Sequence, residues 1–195
     1  MHDLDPDNWD AWPPARVAEL FAGVDAPWCV AAGWAIELFL GDRSREHEDL
    51  EVAVPRARFD EFAVRLHGHE IYVPLGEGRG FASFDPDSES QQTWVREPDG
   101  PWRLDLFREP ADGDTWVCRR DESIRLGYDE LIERTTDGIP YMRPDMVLLF
   151  KAKHAREKDE GDFDAALPRL DARQRASLRG WLERVHPDHR WLARL

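Results

Sequence analysis

Two acidic residues, Asp49 and Glu51, are separated by a single residue in segment 48–54, which alternates polar and apolar side chains. On a β-strand this alternation places both carboxylates on one face and the apolar residues on the other. Carboxylates this close repel each other unless a cation lies between them, and Mg²⁺ is commonly held by one or two carboxylates together with substrate phosphates. The pair therefore predicts either a Mg²⁺ site or an ordinary exposed strand face.

A glycine turn lies upstream of this acidic pair. Residues 28–32 are apolar, Gly33 interrupts them, and Trp34–Leu40 has the pattern of a helix that ends at Gly41. A strand that turns directly into a helix presents backbone N–H groups and a helix N-terminus, and both favour phosphate. Gly33 and its neighbours are therefore candidate phosphate-binding residues.

Cationic side chains recur in the second half of the chain. The segment 144–158 predicts one continuous helix, with Pro144 in its first turn. On such a helix Lys151, His154 and Lys158 share one face. This face is suited to the β- and γ-phosphates of a nucleotide, although solvated lysines of this kind are equally common without a ligand.

The elements that must position these groups follow from the rest of the pattern. Helices are expected over 13–22, after Pro55, from about 162 and over 171–184. Short apolar runs bounded by Gly, Pro and Asp predict strands at 28–32, 48–54, 71–75, 80–84, 93–96, 102–107, 116–118, 124–126 and 139–142. We therefore expect an α+β fold, with a small mixed β-sheet flanked by helices. The core is expected over 1–110, and a C-terminal strand and helical lobe over 111–195.

Three blocks of sequence carry a resemblance to a known superfamily. They are the turn Ala32–Glu37, the segment Arg45–Glu51 and the block Lys151–Phe163. Together they resemble the DNA polymerase β-like nucleotidyltransferases, whose signature is a glycine turn followed by an Asp-x-[Asp/Glu] pair. Within that superfamily the pattern is most similar to the aminoglycoside and lincosamide nucleotidyltransferases. Asp137–Tyr141 adds to the resemblance, which covers most of residues 28–165.

The resemblance implies roles for individual residues. Asp49 and Glu51 would hold Mg²⁺ or Mn²⁺ on a nucleoside triphosphate. A third carboxylate, expected on a later neighbouring strand, is Asp105, either as the general base or as a further metal ligand. The nucleotide-binding residues implied by the resemblance are Gly33, Trp34, Arg45, His47, Lys151 and Lys158.

The sequence departs from the superfamily pattern at four positions. Ala32 stands where a first glycine is usual, and its methyl group would face the phosphates. Glu51 replaces the usual second Asp, Ser44 replaces Thr, and Glu37 replaces Asp. The first of these departures is the one most expected to weaken phosphate binding.

Composition limits the classes of partner. The 195 residues carry 26 Lys and Arg against 40 Asp and Glu, a net charge of −14. Duplex DNA is therefore not expected as a partner, and tRNA is disfavoured, because both require a basic surface. The two cysteines, Cys29 and Cys118, are expected to be buried reduced thiols. A cytoplasmic monomer or homodimer without membrane contact is expected.

The predicted reaction is transfer of a nucleoside monophosphate from an NTP, with ATP as the expected nucleotide, to a hydroxyl of a small acceptor. An aminoglycoside or a lincosamide fits both the resemblance and the acidic surface. Two alternatives remain open. One is a toxin-type nucleotidyltransferase acting on tRNA, and the other is a catalytically degenerate nucleotide-binding domain.

Overall fold

The computed structural model describes residues 2–42, 45–76 and 80–195. The α-helices are α1 Pro14–Leu20, α2 Ala32–Leu40, α3 Phe59–Ala63, α4 Tyr128–Leu131, α5 Pro144–Ala152, α6 Glu157–Ala166 and α7 Ala172–Val185. The strands are β1 Cys29–Val30, β2 Glu51–Pro55, β3 Glu70–Pro74, β4 Phe81–Ser83, β5 Gln92–Arg96, β6 Trp102–Glu109, β7 Ala111–Asp112, β8 Thr115–Val117, β9 Arg125–Gly127, β10 Ile132–Arg134 and β11 Pro140–Met142. Short 3-10 turns occur at Arg56–Arg58, Val64–Leu66, Leu167–Arg169 and Arg190–Ala193.

One mixed sheet organises the molecule, in the order β10-β11-β1-β2-β6-β5-β3-β4. At its centre β2 runs parallel to β6, while β1 is antiparallel to β2 and parallel to β11. A second sheet of three strands, β7-β8-β9, lies beside it. The predicted α+β fold with a mixed sheet and helices is confirmed, although the sheet has eight strands in the described residues and is not small.

The strand–turn–helix unit forms as the sequence predicts. Strand β1 leads directly into α2, and Gly41 ends this helix with a φ of +72°, in the left-handed conformation that glycine adopts without strain. Asp49 is placed differently from the prediction. It lies two residues before β2, in the connector that follows α2, and only Glu51 belongs to the strand.

The predicted helix over 144–158 is wrong. Helix α5 ends at Ala152, and α6 begins at Glu157. Between them Ala155 has a φ of +42°, which a right-handed helix excludes. The break reverses the chain, so that α6 packs against α5 instead of continuing it.

Strands from the second half of the chain complete the main sheet. β8 and β9 pair antiparallel, as the pattern at 116–118 and 124–126 predicts. The segment at 139–142 instead joins the main sheet as β11, next to β1, and β10 had no counterpart in the prediction. The division of the chain into a core and a C-terminal lobe at residue 110 stays a prediction. The main sheet contains strands from both sides of that residue.

The core lies between the main sheet and the helices that cover it. Helices α5 and α7 pack together, and α2 packs on α5. Cys29 and Cys118 are both buried and not disulfide-bonded, as predicted, and burial raises the pKa of both thiols. None of the described helices is long and apolar enough to cross a membrane.

Candidate active site

A cavity of about 520 Å³ opens between the glycine turn, the start of β2 and helix α5. It brings together most of the residues that the sequence singled out: Gly33, Arg45, His47, Asp49, Glu51, Lys151 and Lys158. Six acidic and six basic side chains line it among the described residues. The cavity wall is thus balanced in charge although the whole chain carries −14.

Two predicted site residues lie outside the cavity wall. Trp34 lines a neighbouring groove with Trp9 and Trp12, and its ring stacks on His47 with centroids 4.8 Å apart. Asp105 is 2% exposed and lies beside Glu51, one strand further into the sheet. Trp34 therefore positions His47 in this structure, and Asp105 borders the cavity from below its surface.

The two strand carboxylates are exact neighbours in register. Parallel pairing of β2 and β6 places Glu51 opposite Asp105, so both side chains leave the same face of the sheet. Burial, followed by the charges of Asp49 and Asp105, raises the pKa of Glu51 to about 8. Burial raises the pKa of Asp105 to about 7, opposed by a 2.8 Å hydrogen bond from the Gln92 side chain.

These carboxylates fit a cation. The Asp105 Oδ1 atom is buried without a hydrogen-bond partner, and the repulsion among the three acids is of the kind that a divalent ion relieves. Among residues 2–42, 45–76 and 80–195, however, no group of three or more His, Cys, Asp or Glu side chains is arranged to hold a metal ion. An ion at Asp49 and Glu51 would need substrate oxygens to complete its coordination, as Mg²⁺ usually does.

The glycine turn is tightly packed. A Cβ atom at Gly33 would lie 2.7 Å from Cε1 of His47 and would also overlap the Arg45 guanidinium, so any other residue here would have to displace these two side chains. Ala32 has a φ of +48°, in the left-handed region that favours glycine. The residue that departs from the superfamily pattern therefore adopts the backbone conformation that a glycine would take most easily.

The side chains of Arg45 and His47 are each held in place by a carboxylate. The Arg45 Nε and Nη2 atoms donate to the two carboxylate oxygens of Asp162, each at 3.3 Å. His47 Nε2 donates to Glu37 Oε1 at 3.2 Å, and burial lowers the pKa of His47. Both side chains are thus oriented before any ligand arrives. Ser44, the fourth departure from the pattern, lies outside the described residues.

The lysines meet in the cavity although they belong to different elements. Lys151 is at the end of α5, His154 follows in the turn, and Lys158 is in α6, so the shared helix face predicted for them does not exist. All three nevertheless line the cavity, because the break after α5 folds the chain back. Lys151 Nζ forms an ion pair with Asp162 Oδ2 at 2.6 Å and donates a hydrogen bond to Asp159 Oδ1 at 3.3 Å.

Sequence reasoning missed one end of the cavity. Arg119, Arg120 and Glu109 line it there, and Arg119 Nη1 contacts Glu109 Oε1 at 2.8 Å. The adjacent arginines directly follow Cys118 and were visible in the sequence. No feature of the nearby sequence connects these two arginines with Asp49, because the three-stranded sheet reaches the cavity only through tertiary packing.

Comparisons with known proteins give one matching family model. The family model of aminoglycoside-2''-adenylyltransferase matches residues 15–78, which include the glycine turn and the acidic pair. No curated protein matches the chain.

Solved structures of similar fold extend over most of the chain. The antibiotic-resistance factor ANT(2'')-Ia in solution has a TM-score of 0.55 at 15% identity, covering 88% of this chain and 91% of that protein. Its complex with adenylyl-2''-tobramycin gives 0.54 at 15%, with 86% and 97% covered. The lincomycin-bound lincosamide adenylyltransferase LnuA gives 0.52 at 16%, with 77% and 92% covered. The chain therefore has the fold of these adenylyltransferases, and the match of the aminoglycoside-2''-adenylyltransferase family model over residues 15–78 confirms the resemblance predicted from its motifs.

Proposed function

We propose that the protein transfers a nucleoside monophosphate from an NTP, with ATP as the expected nucleotide, to a hydroxyl of a small acceptor in a Mg²⁺- or Mn²⁺-dependent reaction. One observation carries the proposal. Asp49 and Glu51 line a cavity that also holds Gly33, Lys151 and Lys158, and Asp105 lies next to Glu51 in register, just beneath the cavity surface. This combination is suited to a metal-bound triphosphate.

Binding of the nucleotide is assigned to one end of the cavity. Asp49 and Glu51 hold the ion, which when bound neutralises charge on the triphosphate. The turn at Gly33 offers backbone N–H groups at the start of α2. Arg45, Lys151 and Lys158 add positive charge for the phosphates, and the ion pairs of the first two with Asp162 keep them in place.

Asp105 is assigned as the general base. A hydroxyl is a weak nucleophile at neutral pH, and a carboxylate with a pKa near the working pH removes its proton effectively. The proton of the acceptor hydroxyl passes to Asp105, and the oxygen forms a bond to the α-phosphorus. The bond from that phosphorus to the bridging oxygen breaks, and pyrophosphate leaves. Asp49 and Glu51 are occupied by the ion and are less basic.

The acceptor is proposed to be a hydroxyl-rich small molecule such as an aminoglycoside or a lincosamide. Support comes from similar structures, which contain adenylyl-2''-tobramycin and lincomycin. Duplex DNA is not proposed as a partner because of the net charge of −14. A monomer or a homodimer, and a cytoplasmic location, remain predictions.

Transfer of label from α-³²P NTPs to a panel of aminoglycosides, lincosamides and bulk tRNA tests this function. We expect labelled small-molecule product that depends on Mg²⁺ or Mn²⁺ and disappears in Asp49→Asn. The control is Asp188→Asn, an exposed carboxylate near the C-terminus. Label on tRNA alone would favour the toxin-type alternative. Nucleotide binding without any transfer would favour a degenerate binding domain.

A further inference from the structure

Strand β6 runs from Asp105, the proposed general base, along one wall of the cavity, and this wall indicates the direction in which an acceptor extends. Asp105, Phe107 and Glu109 alternate along β6 and leave the same face of the sheet. With a rise of about 3.3 Å per residue, Glu109 lies roughly 13 Å along the strand from Asp105. Phe107 and Glu109 line the cavity. An acceptor whose hydroxyl reaches Asp105 therefore extends along this wall.

The middle of this wall is apolar and aromatic. The cavity here is lined by four apolar side chains, Phe107, Met142, Val147 and Phe150. The Arg119 guanidinium carbon lies 4.9 Å from the ring centre of Phe107 and 4.7 Å from that of Phe150. At these distances the guanidinium adds a positive charge to the aromatic part of the wall.

The far end of the wall carries uncompensated positive charge. Arg119 is paired with Glu109, but the side chain of Arg120 has no hydrogen bond or ion pair with any described residue, and its Nε atom is buried. Arg120 lies 5.7 Å from the centre of the Phe150 ring. A buried, unpartnered guanidinium donor is costly unless an anion binds it.

The surroundings of His186 also indicate positive charge at this end of the cavity. Burial, then Arg120, then Lys153 lower the pKa of His186, whose Nε2 atom is also buried without a partner among the described residues. Cations therefore collect at this end of the cavity in a chain with a net charge of −14. Among the described residues that line this end, Glu109 is the carboxylate that offsets them.

We propose that Arg119 and Arg120 bind an anionic group of the acceptor, a carboxylate or a phosphate, attached to an apolar or aromatic body that lies on Phe107 and Phe150. The inference rests on the proposed function and narrows its acceptor. Guanidinium groups bind carboxylate and phosphate through paired N–H donors. Of the acceptors considered above, the polycationic aminoglycosides are therefore disfavoured at this end, because Arg120 would repel them.

The experiment uses the full chain saturated with Mg²⁺ and a non-hydrolysable ATP analogue. Phenyl phosphate, benzoate, benzamide and benzylamine are titrated in turn and followed by ligand-observed NMR, so that charge varies while the ring stays constant. We expect the two anions to bind and the neutral and cationic rings to bind at least tenfold more weakly. Phenyl phosphate and benzoate together distinguish the two anionic groups.

Variants locate the binding. Arg120→Gln should weaken phenyl phosphate at least about tenfold, since a hydrogen bond to a charged group contributes about 1.5–3 kcal/mol. Arg120→Lys keeps the charge and should lose less. Arg173→Gln, an exposed arginine paired with Glu130 on the surface, is the control and should change nothing. Melting curves of all three verify folding.

Three results would overturn the proposal: equal binding of benzamide and benzoate, unchanged affinity in Arg120→Gln, or phenyl phosphate that binds the free protein but not the protein saturated with the ATP analogue. The last result would make these arginines part of the triphosphate site. Failure of the proposed function is a separate outcome. It would appear as absence of label transfer, while the charge dependence of ring binding at Arg120 would persist.

Discussion

Glu51 and Asp105 are paired in register, but the two side chains are suited to different roles. They are opposite each other on β2 and β6, yet Glu51 lines the cavity and Asp105 lies beneath its surface, held by Gln92. Glu51, which lines the cavity, is suited to an ion on the triphosphate. The buried member, with one oxygen unpartnered, is suited to take a proton.

Replacing Asp105 by Asn should separate binding from chemistry. The amide keeps the shape and the hydrogen bonding of the side chain but cannot accept the proton. Binding of NTP with Mg²⁺ should therefore stay nearly unchanged while label transfer falls by about 10²–10⁴. Isothermal titration and the transfer assay measure the two quantities. Loss of metal–nucleotide binding would instead make Asp105 a ligand, and normal turnover would leave it no role in the reaction.

Glu51→Gln should change the pH dependence of stability. In the folded protein without ligands, the pKa of Glu51 is raised from 4.5 to about 8, so ionisation costs more in the folded than in the unfolded chain. The stability that depends on the protonated form is complete below about pH 4.5 and is lost as pH rises through about 8. The advantage of Glu51→Gln in thermal melts should therefore grow from pH 5 to pH 9. Glu122→Gln, at an exposed position, should show a constant difference; a constant difference for Glu51→Gln would refute the assignment.

Two short connections place the charged groups at the level of elements. The turn from β1 into α2 brings the backbone of Gly33 under Arg45 and His47. The break between α5 and α6 brings Lys158 to the cavity that Lys151 already lines. Both connections contain an alanine with positive φ, Ala32 and Ala155, so each stores backbone strain in order to position the chain.

Gly33→Ala tests the first connection. The added methyl group must displace the His47 ring, which is held by Glu37 and stacked on Trp34, and must move Arg45. Nucleotide affinity should fall at least tenfold while the protein remains folded. Fluorescent ATP-analogue binding measures the affinity, and Gly180→Ala, on α7 where a Cβ atom meets open space, is the control. Unchanged affinity in Gly33→Ala would remove the turn from the nucleotide site.

Ala155→Gly tests the strain in the second connection. Glycine adopts a φ of +42° without steric cost, so the substitution should raise the free energy of unfolding by about 0.5–1 kcal/mol. The same change at Ala176, in the middle of α7, should lower it by about 1 kcal/mol, because glycine disfavours a helix interior. Urea unfolding measures both. A loss of stability in both variants would show that Ala155 is unstrained.

The whole molecule combines a strongly acidic surface with a cavity of balanced charge. A free triphosphate would be repelled by most of such a surface, so the affinity expected under the proposed function must come from the cations of the cavity and from a metal ion proposed to bind at Asp49 and Glu51. Nucleotide and metal are expected to bind together, since each supplies charge that the other needs.

Thermal shift measurements test this coupling. Mg²⁺ and ATP together should raise the melting temperature by more than the two effects added, because joint binding stabilises only the folded state. Asp49→Ala should remove the joint increment, and Asp188→Ala, exposed near the C-terminus, should keep it. A full joint increment in Asp49→Ala would show that the metal lies elsewhere.

Local patterns determined much of this structure before tertiary packing. Alternation around Glu51 and around Asp105 predicts two strands that each carry a carboxylate on one face, and Gly33 predicts the turn between β1 and α2. These signals are local because a strand or helix exposes one side to the core, and its sequence records which side that is. The motif resemblance added the pairing of Asp105 with Glu51, which the register then confirmed.

Only the tertiary structure decided which elements meet. Neither glycine nor proline occurs at the break around Ala155. The helical periodicity of 144–158 therefore continues through the break and predicts one helix instead of two. Arg119 and Arg120 reach the cavity because the β7-β8-β9 sheet packs near α5, and no spacing along the chain encodes that contact. Trp34 faces a neighbouring groove for the same reason. The periodicity of a sequence indicates which face of each element is buried, whereas the composition of a site depends on long-range packing among elements. This is why the end of the cavity proposed for the nucleotide could be predicted from the sequence, and the end with Arg119 and Arg120 could not.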